Sequence, residues 1–174
     1  YKIDFPYDYP HRPPKMTFMN KDGKTRFHPN MYKKGKICLS ILNTWKGDQW
    51  TGCQSIRSIL LTIVSILDNN PLLHEPGFTE AHIDCKRYNK IIQYKNVDFS
   101  INKMMLNKVT DIVFYTDLFK DEIYSQFNKN IENLMQLLDS MKDTKNENVI
   151  TGIYGLNEDI NWTRICSDFN SIKI

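Results

Sequence analysis

His28-Pro29-Asn30, then Gly35-Lys36-Ile37-Cys38-Leu39-Ser40-Ile41-Leu42, then Trp50 is the stretch of this 174-residue chain whose reading decides the fold. Residues 27–50 show little hydrophobic periodicity and much turn chemistry, at His28-Pro29-Asn30, Lys34-Gly35-Lys36 and Lys46-Gly47-Asp48. A long irregular stretch inside a compact domain is usually functional or disordered. The apolar Ile37-Cys38-Leu39 and Ile41-Leu42 argue against disorder. Taken alone, a cysteine between Ile and Leu reads more readily as a small core residue than as a nucleophile. Its setting changes that reading, because Asn30 lies eight residues earlier. An Asn amide can donate a hydrogen bond to a developing oxyanion, although Asn is also an ordinary turn residue.

Outward from this stretch, Tyr1-Lys2-Ile3-Asp4-Phe5 alternates and predicts a strand. Pro6, Pro10, Pro13 and Pro14 enforce an extended turn, and Lys15 to Met19 predicts a second strand. On the C-terminal side, apolar residues at 56, 59, 60, 63, 64 and 67 form one helical stripe, with a capping-box pattern at Thr51 and Gln54 and a stop at Asn69-Asn70-Pro71. A second helix is expected from about Asp84 to Met105, although its stripe is imperfect. A third carries Ile123, Phe127, Ile131, Leu134, Leu138 and Met141 on one face. Asp143 to Asn148 is a polar break, and Trp162, Ile165, Cys166 and Phe169 predict a short last helix.

Composition narrows the function. Hydrophobic residues make up 41% of the chain and charged residues 25%, as in ordinary globular proteins. The apolar run from Ile59 to Leu67 is too short to span a bilayer, so no membrane partner is expected. Cys38, Cys53, Cys85 and Cys166 form no C-x-x-C pair, which argues against a zinc site or any metal site, and four cysteines in this length do not make a disulfide scaffold. The reading is a reducing compartment, cytoplasmic or nuclear. The net charge of +3 is uneven, since residues 1–52 hold ten Lys and Arg against four Asp. These basic residues are scattered through turns without an aromatic stacking motif, so an acidic protein partner fits better than nucleic acid.

Phe5-Pro6-Tyr7-Asp8-Tyr9-Pro10, Pro13-Pro14-Lys15, His28-Pro29-Asn30, Gly35 to Leu42 and Trp50, in that order and spacing, resemble the ubiquitin-conjugating (UBC) family over residues 1–105 or so. The nearest likeness is to the subgroup with a C-terminal helical extension, through Phe18-Met19, Leu39 to Leu42, Glu75-Pro76-Gly77-Phe78 and Tyr88-Asn89. The resemblance implies an α+β UBC-like fold, an antiparallel meander flanked by helices. The family's first helix and first strands would be missing before Tyr1. It implies a catalytic core over 1–106 and a helical extension over 107–174 packed on that core.

Function and site roles follow from the same resemblance. Cys38 would accept ubiquitin or a ubiquitin-like protein as a thioester from an activating enzyme and pass it to a lysine of a protein substrate, usually with a ligase. No cofactor is implied. Asn30 matches the asparagine that supports the oxyanion and the loop, and His28, with Pro29, a structural brace. Glu75 falls near an acidic residue that helps receive the lysine. His11, Trp45 in a lengthened 43–49 link, and Thr51-Gly52-Cys53, where many members have Ser-Pro-Ala, fall on the partner-binding surface. The chemistry suits a carrier: one thioester replaces another at little net cost, the thiolate is the attacking species, and no histidine stands beside Cys38 in sequence. Two other readings compete. A non-catalytic UBC-like scaffold that binds ubiquitin or pathway partners would keep the fold without the chemistry. A cysteine hydrolase would need a histidine poised against the thiol.

Overall fold

Lys2–Asp4 (β1) and Lys15–Thr17 (β2) pair antiparallel, with Ile3 opposite Met16. The computed structural model describes residues 1–106, 108 and 117–172. Beyond β2 the sheet thins to single bridges, Thr17 with Lys36, Met31 with Ile37 and His28 with Met31. The turns between these residues prevent longer ladders, so the expected meander is present in frayed form. Met16, Met31, Ile37, Leu39, Ile41, Leu42 and Trp50 form one buried cluster with Ile59 and Ile63 of the helix Ile56–Ile66 (α1). Trp50 anchors it from the loop side, its indole N–H donating to the Pro10 carbonyl at 2.7 Å.

α1 differs from expectation in two respects. Its capping box is Ser55 with Ser58, one turn later than Thr51 with Gln54. Gln54 does accept from the Thr51 backbone N–H at 3.0 Å, but within a turn that precedes the helix. Its apolar stripe is also wider than the core it faces. Ile59 and Ile63 are buried, whereas Leu60, Val64 and Leu67 are exposed. A 3-10 turn at Pro71–His74 then leads to the helix Ile83–Lys95 (α2).

By compactness the chain divides into Tyr1–Asn89 and Lys90–Ile174, within α2. The expected division at 106/107 rested on family likeness.

In the second unit α2 runs into a π-helical segment, Asn96–Lys103. The change of period explains the imperfect stripe of the sequence, because Val97, Asp98 and Phe99 are buried consecutively, which no 3.6-residue face allows. The helix Lys120–Met141 (α3) has the anticipated face, with Phe127 and Leu138 buried. The polar break does not lead straight to the last helix. Glu147–Ile150 (β3) and Asn157–Ile160 (β4) form an antiparallel hairpin, so the extension is not purely helical. The β-branched run Val149-Ile150-Thr151 followed by Gly152 was the available signal. The helix Trp162–Asn170 (α4) closes the unit, with Asn161 Oδ1 accepting from the Arg164 N–H at 2.9 Å as its cap.

The second unit is pinned by charge as well as by packing. Asp98, buried to 2% side-chain exposure, meets Arg164 at 2.9 Å and Lys103 at 3.0 Å. Arg164 also donates to the Tyr94 hydroxyl at 2.7 Å, and the Tyr94 and Trp162 rings pack edge to face at 5.5 Å.

Candidate active site

The irregular segment around Cys38 is held by side chains reaching backbone groups. Cys38 N–H donates to the Asn30 carbonyl at 2.8 Å, and Asn30 Nδ2 donates back to the Cys38 carbonyl at 2.7 Å. This reciprocal pair joins two residues that the sequence separates by a turn. Asn30's own N–H donates to His28 Nδ1 at 3.0 Å, and His28 Nε2 lies 3.0 Å from the Ile66 carbonyl. A carbonyl can only accept, so Nε2 carries the hydrogen and the imidazole is neutral. Burial, reinforced by the neighbouring His74, pushes the His28 pKa down to about 4. His28 thus ties the Asn30 loop to the end of α1 through both ring nitrogens.

His74 packs against His28 with ring centroids 5.1 Å apart and meets the Asp68 carboxylate at 2.9 Å. That hydrogen bond holds Asp68 below the usual carboxylate range. Arg26 organises the other side of the loop. Its guanidinium donates to the Pro29 carbonyl, stacks 3.8 Å from the Tyr32 ring centroid and lies 3.8 Å from Glu75. Glu75 is thereby joined to the His28-Pro29-Asn30 loop through Arg26. Past Cys38, Thr44 Oγ1 accepts from the Leu39 N–H at 2.9 Å and faces the Ile37 carbonyl at 2.8 Å. Arg26 and Thr44 were missed by sequence reasoning. Nothing local to Arg26 signals its role, whereas Thr44 is a short polar residue directly after a buried turn, a position suited to bonding backbone.

The Cys38 side chain is buried, with the residue 3% exposed. Burial alone would suit a core cysteine equally well, and what distinguishes it is the Asn30 amide bonded to its backbone. Among the described residues Cys85 and Cys166 have no such neighbour, and loss of solvation raises both thiols above their ordinary value. All four cysteines are free. The described residues contain no group of His, Cys, Asp or Glu able to hold a metal, and no helix among them is long and apolar enough to cross a membrane.

The family pattern described as "Ubiquitin-conjugating enzyme" matches residues 1–95, more than half of the chain. The chain belongs to the ubiquitin-conjugating enzyme family. It is 44% identical over 106 residues to ubiquitin-conjugating enzyme E2 Z of Homo sapiens, covering 59% of this chain and 30% of that protein. It is 40% identical over 91 residues to a probable ubiquitin-conjugating enzyme E2 of Encephalitozoon cuniculi, covering 47% of this chain and 40% of that protein. It is also 35% identical over 101 residues to a ubiquitin-conjugating enzyme E2 of African swine fever virus, covering 56% of this chain and 43% of that protein. The chain therefore spans less than half the length of these curated relatives.

Within the family frame the remaining expected residues are all exposed: His11, Trp45, Thr51, Gly52 and Cys53. The 43–49 link is exposed throughout. It is nevertheless ordered by Asn43, whose Oδ1 accepts from the Trp50 N–H at 2.8 Å, and by Gln49 donating to the carbonyls of Trp45 and Gly47 at 3.0 and 3.1 Å. Trp50 is buried and Trp45 is half exposed, so the two tryptophans divide into an anchor and a surface ring.

Proposed function

We propose that this chain carries ubiquitin or a ubiquitin-like protein as a thioester on Cys38 Sγ and transfers it to a lysine of a protein substrate. The observation that supports this most directly is the reciprocal Asn30–Cys38 pair inside a family-matching segment. In the first step the Cys38 thiolate attacks the cargo's C-terminal thioester on an activating enzyme, and that enzyme's thiolate leaves. In the second, a lysine amine attacks the Cys38 thioester carbonyl, negative charge gathers on the carbonyl oxygen, the C–S bond breaks with Cys38 leaving as thiolate, and the amine's proton passes to solvent. Asn30 Nδ2 has two hydrogens, and the one not bonded to Cys38 is the donor suited to that oxygen. Glu75 is the carboxylate suited to orient the amine, fixed by Arg26.

The buried thiol must be uncovered before a protein-bound thioester can reach it. The wholly exposed 43–49 link is the adjoining segment with the least burial to lose. Trp45 on that link, with His11 and Thr51-Gly52-Cys53, is the proposed ligase-reading surface, and a cytoplasmic or nuclear location follows from the proposed partners. The 3% exposure of Cys38 favours a second reading, a UBC-like scaffold without chemistry. A charging assay with activating enzyme, ATP and a panel of ubiquitin-like proteins separates the two. A reducible adduct that disappears in Cys38→Ser is expected. Absence of any adduct across the panel would leave the scaffold reading.

A further inference from the structure

Between β2 and the turn that precedes Cys38 lies a cavity of about 510 Å³. Its floor is apolar, formed by Pro13, Pro14 and Leu42, and its rim holds Lys15, Lys34 and Lys36. No acidic residue lines it. All three lysines are exposed, and none forms an ion pair among the described residues, the Lys36 ammonium lying 5.6 Å from the Tyr32 ring centroid. In the same unit Lys2, Arg12 and Arg26 are each matched, to Asp4, Asp8 and Glu75.

The lysines stand on a rigid frame. Gly35 sits at φ +94°, and a Cβ there would come within 2.9 Å of both the Phe18 carbonyl oxygen and Thr17 Cγ2. The turn docks on the end of β2 through Phe18 N–H to the Gly35 carbonyl at 2.9 Å, and closes on itself through Tyr32 N–H to the Lys36 carbonyl at 2.8 Å. The Thr17–Lys36 bridge sets Lys36 beside Thr17, and the two-residue period of β2 puts Lys15 on the same face. The three lysines are thus rooted around one mouth by backbone geometry, so little conformational entropy of the frame is lost when a ligand binds.

We infer that this cavity is a docking site for an extended acidic segment of a protein partner, with carboxylates meeting the three lysines and apolar side chains entering between them. The alternation suits an extended strand, whose side chains point to opposite faces. The lining contains no aromatic ring on which a nucleobase could stack, and its floor is apolar, which favours peptide over nucleic acid. Ile37, on the wall, precedes Cys38 in the chain, so a docked segment lies against the strand of the proposed carrier residue. The inference does not depend on the thioester reading, because it concerns binding alone.

The test titrates the full chain into a fluorescein-labelled peptide alternating Glu and Val, read by anisotropy, with a Lys and Val peptide and an oligouridine as comparison probes. Saturable binding of the acidic peptide is expected. The triple variant Lys15→Gln, Lys34→Gln, Lys36→Gln should weaken it by about ten-fold or more. The triple variant Lys24→Gln, Lys33→Gln, Lys46→Gln changes net charge equally at exposed sites off the cavity and should leave affinity within about two-fold. Amide resonances of residues 15–17 and 34–37 should shift on titration. Equal weakening by both variants would reduce the effect to net charge and overturn the inference. So would absence of saturable binding, or oligouridine binding that only the cavity variant abolishes.

Discussion

In residues 27–50 short backbone turns are supplemented by single side chains that bond backbone groups: Asn30 on Cys38, His28 on Asn30 and Ile66, Thr44 on Leu39, Asn43 on Trp50. In the described part of residues 90–172 buried backbone is satisfied mostly by helices and a four-residue hairpin ladder, supplemented by a few side chains such as Asn102 on Ile165, and the Asp98–Arg164–Lys103 knot adds ion pairs between side chains. A ladder shares its work among many similar bonds, so losing one side chain moves it little. A loop braced by single side chains has less redundancy, and each brace holds a specific atom in place. The ladder suits a scaffold and the braced loop a site where position matters.

The comparison is broken most decisively at Cys38. Cys38→Ser should abolish the reducible adduct entirely and leave at most a reduction-resistant oxyester, whereas Cys53→Ala, Cys85→Ala and Cys166→Ala should each still charge. Non-reducing electrophoresis reads both outcomes. Charging lost equally in one of the other three would move the carrier elsewhere. Next comes Asn30→Ala, expected to slow discharge to free lysine by about ten- to a thousand-fold while charging persists. Equal loss of both steps would make Asn30 a brace and nothing more.

The loop's acid sensitivity should exceed that of the C-terminal unit. His28 has its pKa lowered to about 4 in the fold, so the unfolded chain binds the extra proton first as pH falls. Stability should therefore be full above about pH 6.5 and decline between there and pH 4, by on the order of 3 kcal/mol. Denaturant titrations at stepped pH would show it, and a flat profile across this window would contradict the buried neutral imidazole. In the C-terminal unit, Arg164→Ala leaves Asp98 buried with only Lys103 and should cost about 2 kcal/mol in urea unfolding. An unchanged midpoint would mean that the knot is incidental. The smallest expected effect is at Trp45, where Trp45→Ala should change stability by under about 0.5 kcal/mol and lower only ligase-stimulated discharge.

The sequence made the periodic elements legible and the braces illegible. α1, α3 and α4 follow from apolar spacing, because their burial is set by neighbours three and four residues away. The π-helical segment blurred α2 for the same reason in reverse. The β3–β4 hairpin hid behind Asn and Glu, its short strands burying only Val149 and Ile160. At the site, Asn30 and Cys38 were paired in advance by resemblance, and no spacing rule joins residues across an irregular turn. Arg26's link to Glu75 joins residues far apart in the chain and left no trace in local sequence.

Asn30's amide also constrains how this position could change over generations. One of its hydrogens is already engaged by the Cys38 carbonyl at 2.7 Å. Aspartate has the same outline but offers no hydrogen there when ionised, and would set a negative charge against that carbonyl. Glutamine keeps both hydrogens and carries them one methylene too far. Alanine or glycine offers none. Asparagine alone places two amide hydrogens at this distance, so any other side chain here loses the bond to the Cys38 carbonyl, the hydrogen suited to the oxyanion, or both.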